Sequence, residues 1–308
     1  MVQCADTSWH ADVDRFKSVR ALVIGDLMID EYLWGSVDRV SPEAPVPVVC
    51  VNKESHTLGG AGNVINNLTA MGARVNAVGT AGTGTAGRMI LDKLISLGIG
   101  TDTIVSEPMR PTTRKTRVIA SNQQVVRIDR EEKKNITPET LERLVDGIQK
   151  HIPDTDLIIL SDYNKGLITR ELVKETVSLA RKYGVLTLAD PKSLDFSKYE
   201  SVSVLTPNKK EAGLAARMDI QTEQDLAEAG ETIMSQARLD RLLITCGKDG
   251  MVLFEKDEPA FHIESNARQV FDVSGAGDTV ISILGLGLAR GAGFRKSAQI
   301  ANAAAGIV

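Results

Sequence analysis

The feature that most constrains this chain is a series of short, unbroken apolar runs, each closed by a turn-forming or polar residue. The first is Ala21-Leu22-Val23-Ile24-Gly25-Asp26, and similar runs stand at 75–78, 157–160, 185–188, 202–205 and 242–245. A strand with one wet face alternates apolar and polar residues, whereas one that is apolar throughout is covered on both faces. Helical periodicity separates most of these runs, over roughly 61–72, 86–97, 138–150, 169–182 and 222–237. This alternation predicts an α/β fold: a mostly parallel central sheet with helices on both faces.

Two stretches break the rhythm. Residues 37–52 hold three prolines and an alternating strand pattern, and residues 112–130 hold two strand-like runs, 113–120 and 124–128. Together they predict a small antiparallel β element beside the main sheet. Strand alternation puts Lys115 and Arg117 on one of its faces. A surface hairpin is the plain reading; a lid whose basic groups face a substrate is the sharper one. Residues 1–19 are polar and aperiodic and read as a tail, leaving 20–308 as one domain with its lid.

Composition excludes several classes. With 40 acidic and 36 basic residues the net charge is −4, and no block of five basic residues occurs. Neither nucleic acid nor an anionic membrane is an expected partner. The longest apolar run, 280–289, is too short to span a bilayer, and Asp6, Asp12 and Asp14 interrupt any secretory leader. A cytoplasmic location is expected. Cys4, Cys50 and Cys246, like the four histidines, lie far apart without metal-ligand spacing.

The stretch Asp272-Val273-Ser274-Gly275-Ala276-Gly277-Asp278-Thr279 precedes an apolar helical pattern. Glycines at 275 and 277 let backbone amides approach an anion, and the helix start adds its own amides and partial positive charge. Asp278 in the first turn could then take a proton from an attacking hydroxyl; the bland alternative is an Asp favoured by the helix dipole. Asn208 and Glu211 lie three apart where a strand gives way to a helix. They suit either a hydrated Mg²⁺ with its phosphates or a simple capping box. Thr245-Cys246-Gly247-Lys248-Asp249-Gly250 reads as a tight turn or as a loop beside a nucleotide. Asp26 and Asp30 follow the first strand, and Gly59-Gly60-Ala61-Gly62-Asn63 opens a helix; carboxylates and an Asn there suit sugar hydroxyls, or turns and caps. Gly82-Thr83-Gly84-Thr85-Ala86-Gly87 matches the dinucleotide fingerprint formally. It starts too far past its strand and lacks the later acidic residue, so a nicotinamide dehydrogenase is rejected. It also lacks the Lys-Ser/Thr of a P-loop, and no nucleophile elbow is present.

Taken together, these segments resemble the ribokinase, or PfkB, family of carbohydrate kinases, from about residue 20 to the end. The two family signatures stand here as Gly59-Gly60-Ala61-Gly62-Asn63 and Asp272-Val273-Ser274-Gly275-Ala276-Gly277-Asp278. Within the family, three further segments resemble the bacterial kinases that act on D-glycero-β-D-manno-heptose 7-phosphate. They are Gly25-Asp26-Leu27-Met28-Ile29-Asp30-Glu31-Tyr32, the Arg39-Val40-Ser41-Pro42-Glu43-Ala44-Pro45-Val46-Pro47-Val48 stretch, and Ser161-Asp162-Tyr163-Asn164-Lys165-Gly166.

The resemblance implies ATP-dependent phosphorylation of the anomeric hydroxyl, giving a 1,7-bisphosphate for ADP-heptose and lipopolysaccharide synthesis. It implies Asp278 as catalytic base, with the amides of Gly275, Ala276, Gly277 and Asp278 as anion hole. Asn208 and Glu211 fall to the Mg·ATP site, and Thr245, Gly247, Gly250 and Asn302 to the nucleotide. Asp26, Asp30, Gly60 and Asn63 fall to the sugar. For the acceptor's own phosphate, Arg117, Arg127, Arg130, Lys165 and Lys192 are the expected cations. Val273 stands where the family often has Thr, but Asp272 is kept, so K⁺ beside Asp272 is part of the expectation. The family pattern continues past residue 308, so the chain reads as slightly shortened. A homodimer through the lid is expected because its strand edges are otherwise exposed. The competing readings are another phosphosugar kinase of the family and a non-catalytic sugar sensor.

Overall fold

The computed structural model describes residues 8–265 and 275–307. The chain runs through α1 (Ser8–Asp14), β1 (Arg20–Gly25), β2 (Leu27–Val40), β3 (Pro47–Gly60), α2 (Ala61–Ala70), β4 (Arg74–Ala81) and α3 (Thr85–Ser96). It continues with β5 (Ile104–Ser106), β6 (Thr113–Ala120), β7 (Gln123–Arg130), α4 (Pro138–His151), β8 (Leu157–Ser161), α5 (Arg170–Tyr183) and β9 (Leu186–Asp190). Then come β10 (Val204–Leu205), α6 (Lys209–Ala216), α7 (Glu223–Gln236), β11 (Arg241–Thr245), β12 (Met251–Glu255), β13 (Phe261–Ile263), α8 (Ala276–Ala289) and α9 (Phe294–Ala305).

Nine strands form one sheet in the order β13-β12-β11-β10-β9-β8-β1-β4-β5. The pairings from β11 to β5 are parallel, and only the β11–β12 and β12–β13 pairings at one edge are antiparallel. The period of two sorts the apolar runs between two cores. Ala21, Val23, Leu157 and Ile159 pack with Val64, Ile65, Ile90, Ile281 and Ala298 of α2, α3, α8 and α9. Leu22, Ile24, Ile158 and Leu160 face Leu144, Val173, Ala212 and Ile233 of α4 to α7. Both faces of β1 and β8 are therefore buried, which is why these strands are apolar without alternation.

The second sheet, β3-β2-β6-β7, is the lid. It is larger than residues 37–52 and 112–130 suggest. β2 leaves β1 after Asp26, so the hairpin spans 27–60 and residues 37–52 are only its outer end. The strand is buried from Leu27 to Glu31 and exposed at Asp38 to Val40; alternation is visible only where one face is wet. Nor is the lid wholly antiparallel, since β2 and β6 pair in parallel. The expected tail also differs: Ser8–Asp14 is helical, and Phe16 and Val19 are fully buried. Trp9, Val13 and Phe16 recur at i, i+4 and i+7, a helical stripe hidden by the polar residues around it.

After β1 the chain crosses to β4 and β5 on one side, whereas β8 to β11 extend the sheet on the other. The sheet thus has its switch point between β1 and β8. Loops after neighbouring strands diverge there and leave a crevice at the carboxyl edge.

Candidate active site

A cavity of about 660 Å³ opens at that edge, bounded by the loops after β8, β9, β10 and β11 and by the start of α8. Gly275 caps α8 with φ 92°, a left-handed conformation that favours glycine. The first helical bond runs from Thr279 N–H to the Gly275 carbonyl at 2.9 Å, so the amides before it belong to the open helix start. A Cβ on Gly275 or Gly277 would meet nothing within 4 Å; the backbone there borders open space. Gly275, Ala276, Gly277 and Asp278 all line the cavity.

Asp278 is buried, and both its carboxylate oxygens are held. Asn63 Nδ2 donates to Oδ2 at 3.2 Å, and the Tyr163 hydroxyl donates to Oδ1 at 2.7 Å. Burial pushes its pKa up, while these two donors and the Lys192 charge pull it back. Asn63 comes from α2, which starts directly behind β3, so the two signatures meet at one carboxylate although 215 residues separate them.

The expected Mg·ATP residues stand together on the far wall. Asn208 and Glu211 form a complete capping box on α6: Asn208 Oδ1 accepts from Glu211 N–H, and Glu211 Oε2 accepts from Asn208 N–H, each at 2.9 Å. Lys192 Nζ takes Glu211 Oε1 at 2.7 Å and lies 3.5 Å from Asp190. Asp190 is pushed up to about 8 by burial, with Lys192 opposing the rise. Thr245, Gly247, Gly250 and Asn302 line the same cavity, and Asn302 Nδ2 donates to the Glu264 carbonyl at 2.7 Å. Among the described residues no three His, Cys, Asp or Glu side chains gather as a metal set. The donors fit a magnesium ion that keeps most of its waters and takes phosphate oxygens, with Asn208 and Glu211 reached through water. Asp272 lies outside the described residues.

The sugar-side residues divide. Asp30 stands on β2, near enough for its charge to act on Asp278, and is bound to Arg117 Nη1 at 2.6 Å. Asp26 is used by the backbone: its Oδ2 accepts from Tyr163 N–H at 2.8 Å and Lys165 N–H at 3.2 Å. Burial, with the nearby Asp162 charge, raises its pKa to about 6. Gly60 caps α2 at φ 59°, and a Cβ there would meet the Asp26 carbonyl at 2.5 Å. Asp26 thus ties the turn after β8 to the start of α2, where its carbonyl accepts from Ala61 N–H at 3.0 Å.

The five expected phosphate cations are not brought together. Lys192 stands on the opposite side, with Glu211. Arg117 lines the lid with Asp30, and Lys165 Nζ pairs with Glu131 at 2.6 Å. Arg127 is half exposed and doubly bonded to Asp129. Arg130 registers with Arg114, out of phase with Lys115 and Arg117, and so belongs to the other lid face. That other face carries Glu31, bonded to Thr116 and to His56. Tyr163 and Lys115 lie outside the expected set of site residues and come together beside Asp278. Tyr163 reaches Asp278, and Lys115 Nζ lies 5.6 Å from the Tyr163 ring centroid. Lys115 has no carboxylate within ion-pair distance among the described residues, and burial with the charges of Lys165 and Arg127 lowers its pKa. The shared strand face of Lys115 and Arg117 was the only sequence signal for it.

The family described as pfkB family carbohydrate kinase matches residues 20–308. A protein named bifunctional protein HldE from Desulfatibacillum aliphaticivorans is 52% identical over 297 residues, covering 96% of this chain and 61% of its own length. A protein of the same name from Geobacter sulfurreducens is 47% identical, covering 94% of this chain and 59% of its own length. The chain therefore spans about three fifths of these curated relatives. In fold it is similar to Arabidopsis thaliana ribokinase complexed with ribose and ATP (TM-score 0.72, 19% identity, 94% of this chain and 91% of that one). Phosphofructokinase-2 from Escherichia coli in complex with potassium gives TM-score 0.77 at 18% identity, covering 94% and 92%.

Proposed function

The chain belongs to the pfkB family of carbohydrate kinases, and from that premise we propose that it transfers the γ-phosphoryl group of ATP to the anomeric hydroxyl of D-glycero-β-D-manno-heptose 7-phosphate. The observation that carries the reaction type is Asp278: a buried carboxylate at the mouth of a helix start, held from two sides, facing a cavity of about 660 Å³. The acceptor rests on the segments around Asp26, Ser41 and Tyr163 and on the likeness to relatives named HldE.

Phosphoryl transfer asks for in-line positioning and charge stabilisation more than for a strong base. Asp278 takes the proton of the acceptor hydroxyl as its oxygen bonds to phosphorus. The amides from Gly275 to Asp278 face the phosphate oxygens, where negative charge is concentrated. Lys192 serves the donor end, beside Glu211, rather than the acceptor's distal phosphate. Asn208 and Glu211 would hold magnesium through water, and the ion when bound would neutralise phosphate charge. Asp30 orients sugar hydroxyls, with Arg117 and Lys165 the nearer cations for the 7-phosphate. Potassium beside Asp272 and a homodimer through the lid complete the proposal. The lid leaves Val37, Val51, Val126 and Ile128 exposed, and every residue of β7 is exposed, so a second copy has an apolar edge to cover.

ADP release measured over a panel of sugars and sugar phosphates tests the acceptor, with the expectation that heptose 7-phosphate gives the highest kcat/KM. Preference for a hexose phosphate would transfer the reading to another phosphosugar kinase. In the same assay Asp278→Asn is expected to lower kcat about 10²–10⁴-fold while ATP still binds. Near-normal turnover in that variant would remove the base from the mechanism and favour a different proton acceptor.

A further inference from the structure

Tyr163 has no part in the transfer as described, yet its surroundings fix it with unusual completeness. Its N–H is anchored on Asp26, at the switch point between β1 and β8. The next residue, Asn164, adopts φ 55° and donates its N–H to Asp162 at 2.6 Å. Gly166 follows at φ 89°, where a Cβ would lie 2.1 Å from the Lys134 carbonyl. A turn held at three successive points aims one side chain, and that side chain ends 2.7 Å from Asp278 Oδ1.

The phenol is an obligate donor there. Burial and the charges of Asp278, Asp190 and Asp30 raise its pKa well above the ordinary tyrosine range, so it keeps its proton. A carboxylate turns about one bond with a broad, roughly two-fold preference. Asn63 alone would hold one oxygen and leave the plane of the group free to swing. With Tyr163 on the other oxygen, the plane is set, and its donated hydrogen bond opposes the rise in pKa that burial causes.

We propose that Tyr163 is a positioning residue for the kinase reaction: its hydroxyl holds Asp278 Oδ1 and fixes the plane of the carboxylate that takes the acceptor's proton. This rests on the reading of Asp278 as base. The bookkeeping leaves Tyr163 unchanged. The acceptor O–H proton passes to Asp278, the new O–P bond forms, and the bond from phosphorus to the ADP oxygen breaks with its electron pair on ADP.

The test is Tyr163→Phe in the full chain, assayed with MgATP and D-glycero-β-D-manno-heptose 7-phosphate beside Asp278→Asn and the double variant. Loss of a hydrogen bond to a charged group predicts a fall in kcat of about 10- to 100-fold. The KM for ATP stays near wild type, and calorimetric ATP binding is retained. The acid limb of kcat/KM moves to higher pH, since the carboxylate loses a donor. The double variant is no slower than Asp278→Asn, because without a carboxylate there is nothing left to orient. Wild-type kcat and an unmoved acid limb in Tyr163→Phe, with Asp278→Asn inactive, overturn the positioning role and leave the base standing. Loss of ATP binding by Tyr163→Phe overturns it as well, since a positioning residue leaves the nucleotide site intact. Normal turnover in Asp278→Asn removes both.

Discussion

Single residues here carry charges that a folded interior normally neutralises or expels. Asp26 is the clearest case. It accepts two backbone N–H groups yet has its pKa raised to about 6, because burial and Asp162 outweigh those donors. In the unfolded chain the same group titrates near 4. Between those values the unfolded chain has released the proton and the folded protein has kept it. Raising the pH through this window therefore favours unfolding, and the cost is complete above about pH 6. Asp26→Asn keeps one amide acceptor and no longer titrates. Its stability relative to wild type is expected to improve by roughly 2–3 kcal/mol between pH 4 and pH 7, read from urea unfolding at the two values. Parallel stability curves would show that Asp26 does not hold its proton in the fold. That Asp26 follows the first strand is plain in the sequence. That its Oδ2 accepts from a turn 137 residues away depends on β8 pairing beside β1.

At the scale of elements, the glycines at 82 and 87 show why a local pattern can mislead. They match a dinucleotide fingerprint in spacing, but α3 begins at Thr85 and the two residues meet across its first turn. A Cβ on Gly87 would lie 1.8 Å from the Gly82 carbonyl oxygen, and Gly82 N–H donates to Thr112 Oγ1 at 2.8 Å. The glycines permit a tight junction between β4, α3 and the entry to β6. Gly87→Ala is therefore expected to destabilise by about 1–3 kcal/mol through overpacking, seen as a lower Tm, with ATP binding kept. A normal Tm with lost nucleotide binding would restore a ligand-binding role. The Asn208–Glu211 pair is the reverse case. Its spacing announces a helix cap, which the structure contains, and only the placement of α6 puts the same residues on the cavity wall.

For the molecule as a whole, the large sheet buries both faces while the lid leaves much of its surface exposed. No helix among the described residues is long and apolar enough to cross a membrane. The exposed β7 edge predicts a dimer by light scattering at micromolar concentration, and Val126→Asp is expected to shift it to monomer. A wild-type monomer would refute the lid contact. What the sequence by itself determined is the set of two-sided strands, the helices between them, the glycine-rich helix start and its aspartate. Those signals are local: periodicity, glycine where a left-handed turn is needed, and a carboxylate in a helix's first turn. What only the tertiary structure decided is which charges meet. Lys192 joins Glu211, Arg130 falls on the far face of the lid, and Tyr163 arrives at Asp278. Such encounters follow from strand order and register, and a single-residue step in register moves a side chain to the opposite face. A solvated cation and a substrate-facing one look alike in sequence, because the difference between them is the partner that the fold brings near.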